Sequence, residues 1–211
     1  HLLPAHLETE DVLARLMMDG HIRGVEGGTD VKLTLDCLRM TMDQKLWAAL
    51  PEGVADAVGQ FNVTGTAKMH VEIRKQPDEP LRFEVFAPEI RDGTLNYEGF
   101  PYALQNLSGR VHITPERVEL YDIKADHNGV PITAQGRIGL RHNEPTRLAI
   151  RSDRVPLDDD LYQALPEAAQ EQWAQFNPSG WVGLDVDMRQ RTAPDAETQR
   201  PDMGITITVT C

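Results

Sequence analysis

Apolar and polar residues alternate along many short stretches of the chain. The segment 33–37 reads Leu-Thr-Leu-Asp-Cys, so an extended backbone would turn its three apolar side chains to one side and its polar ones to the other. Such alternation is typical of strands that bury one face and leave the other in water. The same pattern predicts strands at 81–85, 111–113, 118–120, 132–138, 184–188 and 205–209.

Turn-forming residues lie between several of these strands. Combinations of Gly, Pro, Asn and Asp predict turns at 91–93, 114–116, 127–129 and 143–145. Strands so closely spaced, each with one apolar and one polar face, favour a long antiparallel sheet over a parallel α/β core. The polar tract 189–201, which contains two prolines, predicts a loop.

Two segments show helical spacing instead. Asp43 and Asp158 suit helix N-caps, and a leucine pair four residues apart follows each of them. A proline (Pro51 or Pro166) then ends the first helix and suits the first turn of a second one. The second helices carry stripes at Val54, Ala57, Val58 and Phe61, and at Ala169, Gln172, Trp173 and Phe176. The pattern predicts helical hairpins at about 43–61 and 158–176, each ending at Asn-x-x-Gly.

These two segments are copies of each other. A shift of 115 residues aligns 43–73 with 158–188 without gaps, and 11 of the 31 positions are identical. We therefore interpret the chain as nearly two repeat units cut from a longer repetitive protein. The predicted division is 1–88 as the C-terminal part of one unit, 89–203 as the next unit with strands over about 89–152, and 204–211 as a final strand.

Charge and residue types exclude several functions. The formal net charge of −12 argues against nucleic-acid binding and against a stable electrostatic dock on an anionic membrane. The seven histidines lack metal-ligand spacing, and neither a phosphate loop nor a nucleophile elbow is present. We expect His70 and His112 to be solvated, the run 158–160 to cap a helix rather than bind calcium, and the three tryptophans to pack. The sequence thus predicts no enzyme, no metal and no cofactor.

A sheet of one-sided strands must bury its apolar face, and two helices per 115 residues cannot cover all of it. The sheet either closes on itself around a dry core or keeps part of the face open for an apolar partner, such as an acyl chain. Strand parity alone selects the residues expected to line that face: Leu33, Leu35, Leu81, Phe83, Val85, Val111, Ile113, Leu120, Ile132, Ile138, Leu148, Ile150, Leu184 and Val186.

Residues 100–139 resemble the recurring unit of the AsmA-like family of envelope proteins (the AsmA, TamB and YhdP group). The resemblance lies in the turn and strand at Leu107-Ser-Gly-Arg-Val111, the strand Val118-Glu-Leu120-Tyr-Asp-Ile123, and the strand end Ala134-Gln-Gly136-Arg-Ile138. The segment 155–167 is similar to insertions in large AsmA-like proteins. The helical hairpins depart from the plainest family pattern.

The resemblance implies an open, twisted β-groove, or β-taco, that is mainly β with inserted helical hairpins. It implies the periplasmic part of a protein that is anchored in the inner membrane of a double-membraned bacterium by a segment outside this sequence. The expected function is non-enzymatic phospholipid transport or outer-membrane biogenesis, with phospholipid acyl chains and other envelope proteins as partners. Two alternatives stay open: a closed structural or adhesive β-repeat that binds proteins, and a glycan-binding domain with Trp181, Asp185 and Asp187 in one cleft.

Overall fold

The computed structural model describes residues 16–25, 28–48, 59–141, 144–191 and 202–210. Ten strands form one sheet in the order of the chain, and every neighbouring pair is antiparallel. The strands are β1 (Leu16–Val25), β2 (Gly28–Met42), β3 (Thr64–Lys75), β4 (Arg82–Tyr97), β5 (Phe100–Ile113), β6 (Arg117–His127), β7 (Val130–Gly139), β8 (Arg147–Pro156), β9 (Trp181–Arg191) and β10 (Asp202–Thr210).

The sheet is open, because β1 and β10 each pair with one neighbour and not with each other. This confirms the prediction of a mainly β, antiparallel fold. All seven predicted strands lie in the sheet. One of their residues, Leu81, falls outside it, because β4 begins at Arg82. None of the helices in the described part of the chain is both long and apolar enough to span a bilayer.

Three helices are described, namely α1 (Gln44–Ala48), α2 (Asp159–Ala164) and α3 (Glu167–Phe176). As predicted, an aspartate caps α1 and another caps α2: the backbone N–H of Leu46 donates to Asp43 Oδ1 at 3.0 Å, and that of Leu161 to Asp158 Oδ1 at 3.0 Å. Residues 49–58, which include Pro51 and most of the first predicted apolar stripe, lie outside the described residues.

The two copies of the repeat adopt the same local geometry at several points. Asn62 and Asn177 both have left-handed backbones, with φ of 43° and 42°, and Gly65 and Gly180 have positive φ as well. A β-bulge between Cys37 and Met40 has its counterpart between Ser152 and Val155, 115 residues later. The division of the chain into units at 88 and 203 stays a prediction.

The predicted turn at 91–93 is wrong. These residues lie inside β4, where the register shifts between Ile90 and Gly93 opposite β5. Asp92 has a φ of 50°, and a Cβ on Gly93 would lie 2.9 Å from Leu107 Cβ. A bulge needs the same left-handed backbone and absent side chain as a turn, so Asp-Gly signals either one. The predicted turns at 114–116 and 127–129 do separate strands, whereas residue 143 lies outside the described residues.

Two further predictions need correction. The loop does not begin at residue 189, because β9 continues to Arg191, and residues 192–201 lie outside the described part. Phe176 does not anchor α3, since it is 79% exposed. Its counterpart Phe61 is half-buried because it stacks on Tyr97 of β4, with ring centroids 5.0 Å apart. Among the described residues, Phe176 has no such stacking partner.

Gly136→Ala tests how strongly the sheet depends on its glycines. Gly136 has a φ of +146°, and an added Cβ would lie 2.2 Å from the carbonyl oxygen of Arg147. We expect the free energy of unfolding, measured by urea denaturation, to fall by about 1–3 kcal/mol or more. The control is Gly24→Ala, whose Cβ would meet nothing within 4 Å. Equal effects of the two substitutions would contradict this account.

Candidate functional site

Cross-strand register places the apolar side chains of the sheet on one face. Residues opposite each other in an antiparallel pair share a face, so a chain of pairs can be followed from strand to strand. One such row runs through Leu35, Val71, Val85, Ile113, Val118 and Ile138. A second runs through Ala87, Val111, Leu120, Gly136, Leu148 and Met188. We call the surface built by these rows and their in-phase neighbours the apolar face.

Thirteen of the fourteen residues selected by strand parity lie on the apolar face. Leu81 is the exception: it precedes β4 and is 46% exposed. The selection omitted other members of the face, namely Val71, Ile73, Val118, Ile123, Ala134 and Met188, although Val118, Ala134 and Met188 lie in strands that the alternation predicts. The alternation in Val71-Glu-Ile73 could have revealed two of them. Ile123 could not be found that way, because a bulge between Leu120 and Ile123 changes the parity of β6.

The described helices pack against one end of the apolar face. Leu46 and Trp47 of α1 pack against a buried cluster that includes Cys37, Met69 and Leu107, and the indole Nε1–H of Trp47 donates to the carbonyl oxygen of Val63 at 3.0 Å. Leu161 and Ala164 of α2 pack in a second cluster with Tyr102, Val155, Val182 and Leu184. Twelve of the thirteen predicted residues on the face are only half-buried; Val85 is the buried one.

A polar contact ties α2 to the sheet. Asn128 Nδ2 donates to Asp160 Oδ2 at 3.1 Å, and His127 Nε2 lies 3.3 Å from the same oxygen. The buried ring of His127 stacks on Tyr102 with centroids 3.7 Å apart, while its Nδ1 donates to the carbonyl oxygen of Ala103 at 2.7 Å. Burial, together with nearby Asp158 and Asp160, raises the pKa of Tyr102 to about 12. Its hydroxyl is buried without a hydrogen-bond partner among the described residues.

The three aspartates of the run 158–160 therefore have different roles. Asp158 caps α2, Asp160 makes the tie to the sheet, and Asp159 is exposed. Within the described ranges, no group of three or more His, Cys, Asp and Glu side chains is arranged to hold a metal ion.

On the opposite, polar face, two histidines each lie between two carboxylates. His70 Nδ1 is 2.7 Å from Asp36 Oδ1, and its Nε2 is 3.5 Å from Glu72 Oε1. His112 contacts Glu84 at 2.7 Å and Glu119 at 3.1 Å. The prediction of simply solvated histidines was thus incomplete. At His70, the hydrogen bond to Asp36 is the main cause that raises the pKa of the imidazole.

Trp181, Asp185 and Asp187 do not form the arrangement that a glycan site would need. The guanidinium of Arg154 lies 4.3 Å from the centroid of the Trp181 ring and covers it. Asp185 accepts a hydrogen bond from Arg151, and Asp187 accepts two from Arg189. Trp181 is also four residues along β9 from Asp185, roughly 13 Å in an extended strand.

Comparisons with protein-family models, with curated proteins and with solved structures found no match to this chain. Any functional proposal therefore depends on the geometry and chemistry of the two faces.

Asp160→Ala should loosen α2, because it removes the acceptor of the Asn128 amide and the contact with His127. A hydrogen bond to a charged group contributes about 1–2 kcal/mol, so amide exchange within α2 should quicken by on the order of tenfold. Hydrogen–deuterium exchange with mass spectrometry measures this directly. Asp159→Ala is the matched control, since Asp159 lies in the same turn and is exposed. Unchanged exchange in the Asp160 variant would show that the tie does not hold the helix.

His70 should titrate above its ordinary pKa of 6.5, chiefly because Asp36 accepts a hydrogen bond from its ring. A raised pKa means that the contact stabilises the fold at pH below about 6.5 and loses that effect as pH rises through the folded-state value. In Asp36→Asn, the pKa of His70 measured by NMR should move down toward 6.5. Asp122→Asn, which alters a carboxylate paired with Arg110 three strands away, should leave it unchanged.

Proposed function

We propose that the apolar face is an open groove that holds the acyl chains of phospholipids, and that the protein is a non-enzymatic, bridge-like lipid carrier of the cell envelope. The observation that carries this proposal is a continuous apolar surface across the strands of an unclosed sheet, most of whose side chains are half-exposed. Long exposed apolar surfaces are costly in water and usually have a partner.

The direction of the apolar rows favours a chain-like ligand. Each of the two rows crosses six strands, and its five steps of about 4.8 Å span roughly 24 Å. A flexible hydrocarbon can follow such a row and contact one side chain after another. A compact ligand would instead need a closed pocket with a few convergent polar groups.

Small residues add room for such a ligand. Gly136 lies in the second apolar row, and Ala134 lies between Ile123 and Ile150 in the next. Larger neighbours flank these positions, so the face has a lower track between raised side chains. Bulges in β4, β5 and β6 bend these strands and increase their twist, which supports a groove rather than a flat sheet.

The cellular setting comes from the resemblance of residues 100–139 to AsmA-like proteins. We propose that the chain is the periplasmic part of an inner-membrane-anchored protein that acts in phospholipid transport or outer-membrane biogenesis. Other envelope proteins would then engage the ends of the full-length chain.

A closed structural or adhesive repeat is the second candidate. The helix-covered end of the face favours it, because residues such as Met42, Ala67 and Leu107 are as buried there as in a dry core. If a partner surface covers the remainder of the face in the same way, the protein will bind no lipid.

Lipid uptake by the purified chain distinguishes these candidates. Native mass spectrometry after expression in a lipid-containing host should show bound phospholipid, and a fluorescent phospholipid should bind in solution. Leu120→Asp combined with Leu148→Asp places two charges in one apolar row and should weaken uptake at least about tenfold. Thr133→Asp combined with Gln135→Asp is the control, because both residues are exposed on the polar face of β7.

A second variant tests uptake by steric filling, without placing a charge in the apolar face. Ala134→Trp keeps the face apolar but fills the lower track, so it should reduce uptake while circular dichroism stays unchanged. A wild-type chain that carries and takes up no phospholipid would overturn the groove proposal and leave the closed repeat.

A further inference from the structure

The polar face carries three arginines opposite one another on adjacent strands. Arg137 of β7 pairs with Arg147 of β8, which pairs with Arg189 of β9. We call these three residues the arginine ladder. They lie on the face opposite the apolar rows, because Gly136, Leu148 and Met188, their sequence neighbours, lie on the apolar face. The properties of the arginine ladder therefore do not depend on what the apolar face binds.

Like charges directly opposite one another destabilise a sheet. Paired strands are about 4.8 Å apart, so the three side chains start close together and nearby counter-charges stabilise them. Asp187 supplies one: Arg189 donates to both of its carboxylate oxygens, at 2.9 and 2.6 Å. These bonds, with smaller effects of Arg147 and Arg151, lower the pKa of Asp187.

Two other nearby carboxylates are already engaged. Asp185 accepts from Arg151 at 3.1 Å. Glu119, opposite Arg137 in the register, is 3.0 Å from Arg117 and also contacts His112 and Tyr121. Within the described ranges, neither Arg137 nor Arg147 forms an ion pair. Arg137 and Arg147 are thus two arginines without an ion-pair partner among the described residues, in a chain whose formal net charge is −12.

The other copy of the repeat shows a similar arrangement. Lys32 and Arg74 occupy the positions of Arg147 and Arg189, and they are also opposite each other. Arg74 donates to Glu72 at 2.7 Å, just as Arg189 donates to Asp187. In the first copy the residue opposite Lys32 is His21, which contacts Asp30 at 3.1 Å. The second copy has Arg137 opposite Arg147, so its basic pair is extended to a ladder of three.

We propose that the arginine ladder binds a phosphate group. Guanidinium groups are planar donors that match phosphate oxygens in pairs, and Arg137 and Arg147 would together contact the same anion. The phosphate of an anionic lipid headgroup and free phosphate share this chemistry. The binding would be a local exception to the repulsion that a net charge of −12 exerts on anions.

Two probes test the site in the intact chain. The first is inorganic phosphate, followed by NMR of the arginine Nε–H groups. The second is vesicle flotation, comparing pure phosphatidylcholine with an equal mixture of phosphatidylglycerol and phosphatidylcholine. Arg137→Gln with Arg147→Gln should weaken binding at least about tenfold, equivalent to about 1.4 kcal/mol. Arg91→Gln with Arg110→Gln removes the same charge from residues paired with Glu89 and Asp122 and should leave binding intact.

The outcomes of these two experiments distinguish lipid headgroups from free phosphate as the ligand. A preference for the phosphatidylglycerol vesicles that only the ladder variant loses assigns the site to lipid headgroups. Shifts of the ladder arginines with inorganic phosphate but no vesicle preference assign it to free phosphate. No ladder-dependent response to either probe, in a variant with unchanged circular dichroism, overturns the proposal.

Discussion

The structure depends on one constraint: every strand must present its apolar side chains to the same face of a single sheet. A strand alternates faces at every residue, so one extra residue would exchange the two faces. The chain inserts residues without that exchange. Between Ala87 and Ile90, between Leu120 and Ile123, and between Ser152 and Val155, a bulge absorbs the extra residue, and the apolar row continues beyond it.

The same alternation makes the polar face a consequence of the apolar one. Side chains that point away from the apolar rows are brought into register across strands, whatever their charge. At His70 and His112 this register places imidazoles between carboxylates. Burial alone would raise the pKa of Glu119, but hydrogen bonds from His112, Arg117 and Tyr121 outweigh it and lower that pKa. At Arg137, Arg147 and Arg189 the register aligns like charges instead, and these are the positions at which an anionic ligand would relieve repulsion.

The helices set how much of the apolar face is left for a partner. Because α1 and α2 follow β2 and β8, they pack at one end of the face, where Met42 and Ala164 are buried. The contact of Asp160 with Asn128 and His127 holds α2 there. Beyond the helices, most of the predicted residues of the apolar face, such as Leu33 and Val186, stay half-buried. A lipid groove and a protein-binding face are the two proposals that this partial cover supports, and lipid uptake decides between them.

The sequence by itself determined the class of fold, the caps at Asp43 and Asp158, the turns at 114–116 and 127–129, and most of the apolar face, because each follows from local alternation or backbone chemistry. It misassigned Asp92-Gly93, since a left-handed backbone serves a bulge as well as a turn. It also missed Ile123, whose parity a bulge reverses. Tertiary structure alone decided that Phe61 is covered and Phe176 is not, that His127 meets Asp160, and that three arginines share a row. Those outcomes depend on which residues of distant strands are placed opposite each other. The pattern of a single strand does not determine how it pairs with another strand.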